Sequence, residues 1–232
     1  MKKILLGLSL ILVSLQAQIV DTKQLLVVST KSWSSSNGTL QRYEKVEKTW
    51  QKVGTSIHVK LGRNGLGWGI GLHSTPKNAK YIKKEGDGKA PAGIFRLKNA
   101  YGYAPYAIGY PYKVYKTTDH CADDINSKFY NKIVDSRKIV VDYKSHERMK
   151  LKTNYYKYGI VVDHNGITKG TNSKRGAGSC IFIHIKHKTT SGCTVMKEYE
   201  IKEVLKWLDE KSKPLLVQAR EVDISTLLST ID

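Results

Sequence analysis

Gly178-Ser179-Cys180-Ile181-Phe182-Ile183-His184-Ile185, then Lys186 to Thr190, then Ser191-Gly192-Cys193-Thr194-Val195-Met196, is the stretch on which the reading of this chain turns. Ile181 to Ile185 is short and apolar, which predicts a buried strand carrying His184. A polar loop follows, and Gly192 frees the backbone for a sharp turn before Cys193. A thiolate attacks carbonyl groups where a thiol hardly does, and a cysteine ionises near neutral pH only beside a histidine or a helix N-terminus. Cys193 has both within reach of the sequence: His184, and a helical pattern that starts near residue 198. Cys193 is therefore the candidate nucleophile and His184 the candidate base. Backbone N–H groups around Ser191, Gly192 and Cys193 are candidates to face a developing oxyanion.

Other readings of the same residues stay open. A lone histidine within an apolar strand is also what a hydrogen-bonded core histidine looks like. His187 lies three residues on, faces the other way along a continuing strand, and is the rival base or a substrate contact. His164, at the tip of an earlier strand, reads as structural but is placed to reach the same cleft. A zinc site built from Cys180, His184 and Cys193 matches no common ligand spacing.

Working outward, Ile201, Val204, Leu205 and Leu208 repeat at i, i+3, i+4 and i+7, which predicts a helix over 198–209. Glu198 and Glu200 at its start and Lys206 and Lys211 towards its end suit the helix dipole. Leu215 to Gln218 is a last strand, and Val222 to Asp232 a tail. On the other side, strands are predicted over 24–30, 40–46, 50–53, 57–61, 138–143 and 158–165, and 84–97 reads as a tight turn followed by a strand. Glycine-rich 62–73 lacks the spacing and following helix of a phosphate loop. Residues 101–115 read as an irregular tyrosine-rich loop, and 118–134 holds Cys121, Asp123, Asp124, Asn126 and Asn131 with no metal set. The fold expected is mostly β, with sandwich-like mixed sheets and one helix in the C-terminal half.

The chain carries 39 Lys and Arg against 20 Asp and Glu, a formal charge of +19. That excess favours anionic partners, but no RNA-binding signature, zinc-finger spacing or arginine block points to nucleic acid. Met1-Lys2-Lys3, the apolar run Ile4 to Leu15 and the exit Gln16-Ala17-Gln18 form a signal peptide, with cleavage expected after Ala17. It is short for a membrane anchor, no cysteine lies near the cut for a lipid, and no later run is long enough to span a bilayer. The organisation expected is a signal peptide over 1–17, one domain over 18–232, a periplasmic location and no stable membrane anchor. Three cysteines remain, and an odd count in an exported protein implies a free thiol. Cys121 and Cys180 are the candidates to pair, which would leave Cys193 reduced.

The motif around Cys193 resembles the catalytic core of the L,D-transpeptidase family, also called the YkuD domain. That family carries a strand histidine, then Ser/Thr-x-Gly-Cys with an apolar residue soon after; here these are His184, Thr190-Ser191-Gly192-Cys193 and Met196. Gly86 to Phe95 resembles its Pro-x-Gly-x-Phe segment, and the likeness spans about residues 60–218. Two departures stand out. The His-to-Cys loop is shorter than in much of the family, and Val195 stands where many members have Arg, so a carboxylate contact would fall to Lys186, Lys188 or Arg175. The resemblance implies attack by Cys193 on a peptidoglycan stem peptide at its third residue, departure of the terminal D-amino acid with a proton from His184, and a thioester. An amine would resolve it as a cross-link, and water as an L,D-carboxypeptidase. It implies a backbone carbonyl orienting His184, and no cofactor or metal. A non-catalytic basic wall-binding protein is the alternative of a different class.

Overall fold

In the computed structural model, residues 21–166 and 173–231 are described; the predicted signal peptide lies outside them. The chain opens with β1 (Gln24–Thr30), β2 (Asn37–Val46) and β3 (Thr49–Lys60), a meander of antiparallel neighbours. β1 reads Leu-Leu-Val-Val and is buried along almost its whole length, as a strand covered on both faces must be. Next come β4 (Leu66–Trp68), the long β5 (Ala90–Gly102) and β6 (Tyr112–Val114). Three short strands follow: β7 (Asp119–Ala122), β8 (Ile133–Asp135) and β9 (His146–Arg148). The chain ends with β10 (Tyr158–Val162), β11 (Phe182–Ile185), β12 (Thr194–Met196), α1 (Glu198–Trp207), β13 (Leu215–Arg220) and α2 (Glu221–Leu228).

The fold is mostly β, as the sequence predicts, but its sheets are not a sandwich. The strands run β10-β11-β12-β3-β2-β1-β13-β5, and β5 pairs back with β10, so eight strands close into a barrel. Closure removes the open edges that a sandwich would have to protect. β4 and β6 flank β5, and β7, β8 and β9 form a separate small sheet. Because β1 pairs with β2 and, in parallel, with β13, the residues before 60 are part of the barrel.

Several predicted elements move. The two pieces at 50–53 and 57–61 are one twelve-residue strand. Residues 138–143 form no strand, and Val140 and Val141 are exposed. The helix at 198 is where its period places it, with Glu200 accepting from the Lys197 N–H at 2.8 Å. The tail holds a second helix, α2, which the 3.6-residue pattern marks only weakly because Leu227 is its one buried residue. Among the described residues no helix is long and apolar enough to cross a membrane.

One alternation positions everything below. Ile181, Ile183 and Ile185 pack into the main core, while Phe182 and His184 face the opposite way. On that second face Phe182 joins Tyr101, Tyr156, Val161, Cys180, Cys193 and Val195 in a smaller cluster. The small sheet contributes Cys121 to it, and a 3-10 turn at Asn154–Tyr156 contributes Tyr156. The barrel wall and this cap enclose the candidate site between them.

Candidate active site

β11 and β12 run parallel and adjacent, with Ile183 opposite Thr194 and His184 opposite Val195. Cys193 immediately precedes β12, on the same face as Val195. It thus sits one strand over from His184 and two residues back along it. The loop between them is held by the segment just after β3: Thr190 N–H donates to the Leu61 carbonyl at 3.0 Å, and the Arg63 N–H donates to the Thr190 carbonyl at 2.8 Å. Thr190 also fixes the turn itself. Its hydroxyl donates to the Cys193 carbonyl at 2.6 Å and accepts from the Gly192 N–H at 3.1 Å.

Cys193 and His184 line one cavity of about 340 Å³. Ser191 and Gly192 line it too, together with Lys83, Glu85, Asp123, Glu147, Tyr155, Tyr156 and Lys186. The Phe182 N–H points at Cys193 Sγ (3.4 Å), and the thiol reaches the Cys180 carbonyl at 3.7 Å. Cys121 and Cys180 form a disulfide, so Cys193 is the free cysteine. A zinc site using Cys180 is thereby ruled out, since a disulfide sulfur is not a thiolate ligand.

His184 is 4% exposed. Its Nδ1 lies 3.2 Å from the Tyr155 carbonyl and 3.1 Å from that of Ile185. Two carbonyls accept and cannot donate, so the ring proton sits on Nδ1 and Nε2 carries the lone pair. The Tyr156 ring packs edge-on against the imidazole at 4.7 Å. Burial lowers the His184 pKa to about 4 and raises that of Cys193 to about 12. The Phe182 N–H, Lys186 and Lys83 pull the thiol down, and Glu147 pushes it further up. The thiol and the imidazole that line this cavity are both neutral at rest, the state in which the histidine can accept a proton.

Four expectations meet the structure differently. The helix N-terminus does not serve Cys193: β12 intervenes, and at about 3.3 Å per residue α1 begins about 10 Å or more further along. The Gly192 N–H is engaged by Thr190 and is not a free oxyanion donor in this conformation. His187 lies on an exposed bend and does not line the cavity. His164 is buried elsewhere, its Nδ1 accepting from the Ile70 N–H at 3.2 Å and its Nε2–H donating to the Ala177 carbonyl at 3.0 Å. It borders a second cavity, of about 200 Å³, and both ring nitrogens are in use. Of the three cations considered for a carboxylate, Lys186 lines the active cavity while Lys188 and Arg175 do not. Val195 is fully buried in the smaller cluster.

The sequence reading missed the cap. Asp123, Glu147 and Tyr156 come from segments too short or irregular to register as periodic. Cys121 was the one mark of their proximity. Lys83 was also passed over: it is 4% exposed, and its ammonium pairs with Asp87 at 2.6 Å and donates to the Lys84 carbonyl.

No family model and no curated protein matches this chain. Among solved structures, that of Bdellovibrio bacteriovorus Bd1075 is similar at 14% identity and a TM-score of 0.40, over 86% of this chain and 50% of that one. This chain thus spans about half the length of that structure's chain.

Proposed function

We propose that this protein is a periplasmic cysteine acyltransferase of the L,D-transpeptidase type, with a YkuD-type catalytic barrel, acting on peptidoglycan stem peptides. The observation that carries this is the free thiol of Cys193 and a histidine whose Nδ1 is tied to backbone carbonyls, the two lining one cavity. The disulfide between the other two cysteines accords with an oxidising compartment.

Cys193 Sγ attacks the carbonyl of the diamino acid at the third stem position, and its proton passes to His184 Nε2. The carbonyl oxygen becomes an oxyanion, then the peptide bond breaks. The terminal D-amino acid leaves with the proton from His184, and a thioester remains on Cys193. The next acceptor gives its proton to His184 and attacks the thioester. An amine of another stem gives a cross-link; water gives a trimmed tripeptide. Hydrolysis is the second reading. A cavity of about 340 Å³ is at the small end for ligand sites, and under its cap it suits one peptide end and water better than two stems.

Purified protein incubated with tetrapeptide muropeptides separates the outcomes. Dimers indicate transpeptidation and tripeptides indicate carboxypeptidase action. Absence of both products favours a non-catalytic wall-binding protein. Cys193→Ser abolishes either product; unchanged turnover in that variant refutes the nucleophile.

A further inference from the structure

We propose that Lys83 is a positioning residue for the proposed nucleophile: its buried ammonium holds a fixed positive charge beside the Gly192–Cys193 turn and favours the anion that forms there. The inference rests on the reading of Cys193 as an acyl-transfer nucleophile.

Lys83 to Lys89 lead into β5, and this loop packs directly on the turn. Its start is anchored by the Lys83 N–H, which donates to the Trp68 carbonyl at 2.9 Å. A Cβ built on Gly192 would stand 3.2 Å from the Lys89 carbonyl oxygen and 3.9 Å from Lys83 Cε. One built on Gly178 would stand 3.1 Å from the same Cε and 3.2 Å from Lys83 Cγ. The lysine stem thus runs between two glycines, one of them the residue before the nucleophile, and it lines the cavity with Cys193.

The charge is pinned in place. Lys83 Nζ donates to Asp87 Oδ1 and to the Lys84 carbonyl, both at 2.6 Å. These acceptors use two of the three ammonium protons. Asp87 also accepts from the Lys89 N–H at 2.9 Å and the Lys84 N–H at 2.7 Å, so the counter-ion is bound up in its own loop. Lysine is rarely buried unless paired, and apolar side chains of similar volume stabilise a fold as well as a buried ion pair does. Holding the loop closed does not by itself call for a charge here.

The other charged side chains lining the cavity are Lys186, Glu85, Asp123 and Glu147. Lys83 and Lys186 pull the Cys193 thiol towards ionisation and Glu147 opposes them, while Asp87 is not among the chief influences on the sulfur. Lys186 also disfavours a proton on His184, whereas Lys83 is not among the groups that chiefly act there. A charge that lowers both ends of a proton transfer leaves its balance little changed; one that lowers the donor alone drives it. Lys83 is placed to drive the passage of the Cys193 proton to His184.

The test is the rate at which neutral iodoacetamide alkylates Cys193, the free cysteine, at about pH 8 in the full-length mature protein, followed by intact mass. Lys83→Met combined with Asp87→Asn removes both charges and leaves no lone carboxylate. It slows alkylation about threefold or more, because one pKa unit costs tenfold in thiolate and the more basic sulfur recovers about a factor of three. Lys83→Arg keeps the charge and stays near the wild-type rate. A purely structural role has the opposite sign, since a loosened loop exposes the buried thiol and speeds its reaction. Unchanged or faster alkylation in the double variant, or an equal loss with Lys83→Arg, overturns the proposal. Should the double variant not fold, Lys83→Gln, which has a donor for Asp87 and no charge, is read in the same way. The assay needs no turnover. Slower alkylation of the double variant, with no product from the wild type on tetrapeptide stems, keeps the role of Lys83 at the thiol and sinks the acyl-transfer reading. Product formation with unchanged alkylation does the reverse.

Discussion

Replacing Cys121 and Cys180 by alanine tests how the cap and the nucleophile depend on each other. The disulfide spans 59 residues. Loop-closure entropy for a loop of that size gives about 4 kcal/mol of stabilisation, a large share of the ~5–15 kcal/mol typical of a folded domain. A local effect adds to the global one. Cys180 sits at φ 54°, in the left-handed region, with its N–H bonded to Asn131 Oδ1 at 3.0 Å. An alanine without the tether gains about 1–2 kcal/mol by leaving that conformation. It would take with it the carbonyl that faces the Cys193 thiol. Urea titration of the double variant should therefore show a midpoint loss equivalent to about 4 kcal/mol, with activity falling even where the protein is still folded. Cys121→Ala with Cys180→Gly separates the two effects. Glycine accepts the left-handed angle, so stability is still lost while the folded protein recovers the proposed activity. An unchanged midpoint in both variants, or three alkylatable thiols in the unreduced protein, refutes this reasoning.

Acid should destabilise the fold through its buried histidines. His184 and His164 have folded pKa values lowered by burial, to about 4 and about 3. The unfolded chain binds protons first, so stability is full above pH 6.5 and falls as pH drops towards those values. Between pH 7.5 and 5 the loss is about 2 kcal/mol for each, read from urea midpoints; identical midpoints at the two pH values contradict it. His184→Ala should cost at least about 100-fold in rate, the scale of general base catalysis, while His187→Ala stays near wild type; the opposite pattern reassigns the base. Thr190→Val removes both bonds that fix the Gly192–Cys193 turn and should cost about 1–3 kcal/mol, with slower alkylation or turnover measured on the folded fraction.

The site was legible in the sequence to the extent that its chemistry is local. His184 and Cys193 fall on adjacent strands because the apolar alternation of Ile181 to Ile185 fixes one face and the Gly192 turn returns the chain. The helix over 198–207 follows from four residues at helical spacing. What the sequence did not carry was pairing between distant strands. Nothing in Tyr158 to Val162 says that β10 will meet β5, and that contact turns the expected sandwich into a barrel. The cap strands have three or four residues each, too few for a period of two to stand out. Val140 and Val141 mislead for the opposite reason: their β-branched side chains suit a strand, yet both stay exposed. His164 reads as structural and is so, but its partners were hidden, since the Ile70 N–H and the Ala177 carbonyl are 94 and 13 residues away.

The central claim is that the Cys193 sulfur carries the acyl group. Mass spectrometry of the protein quenched during turnover of a tetrapeptide stem tests it most directly. The account predicts a hydroxylamine-labile adduct, heavier by the stem peptide less its terminal residue, on the peptide containing Cys193 and absent from Cys193→Ser. Product formation with no adduct on that peptide, or with an adduct on another residue, contradicts it.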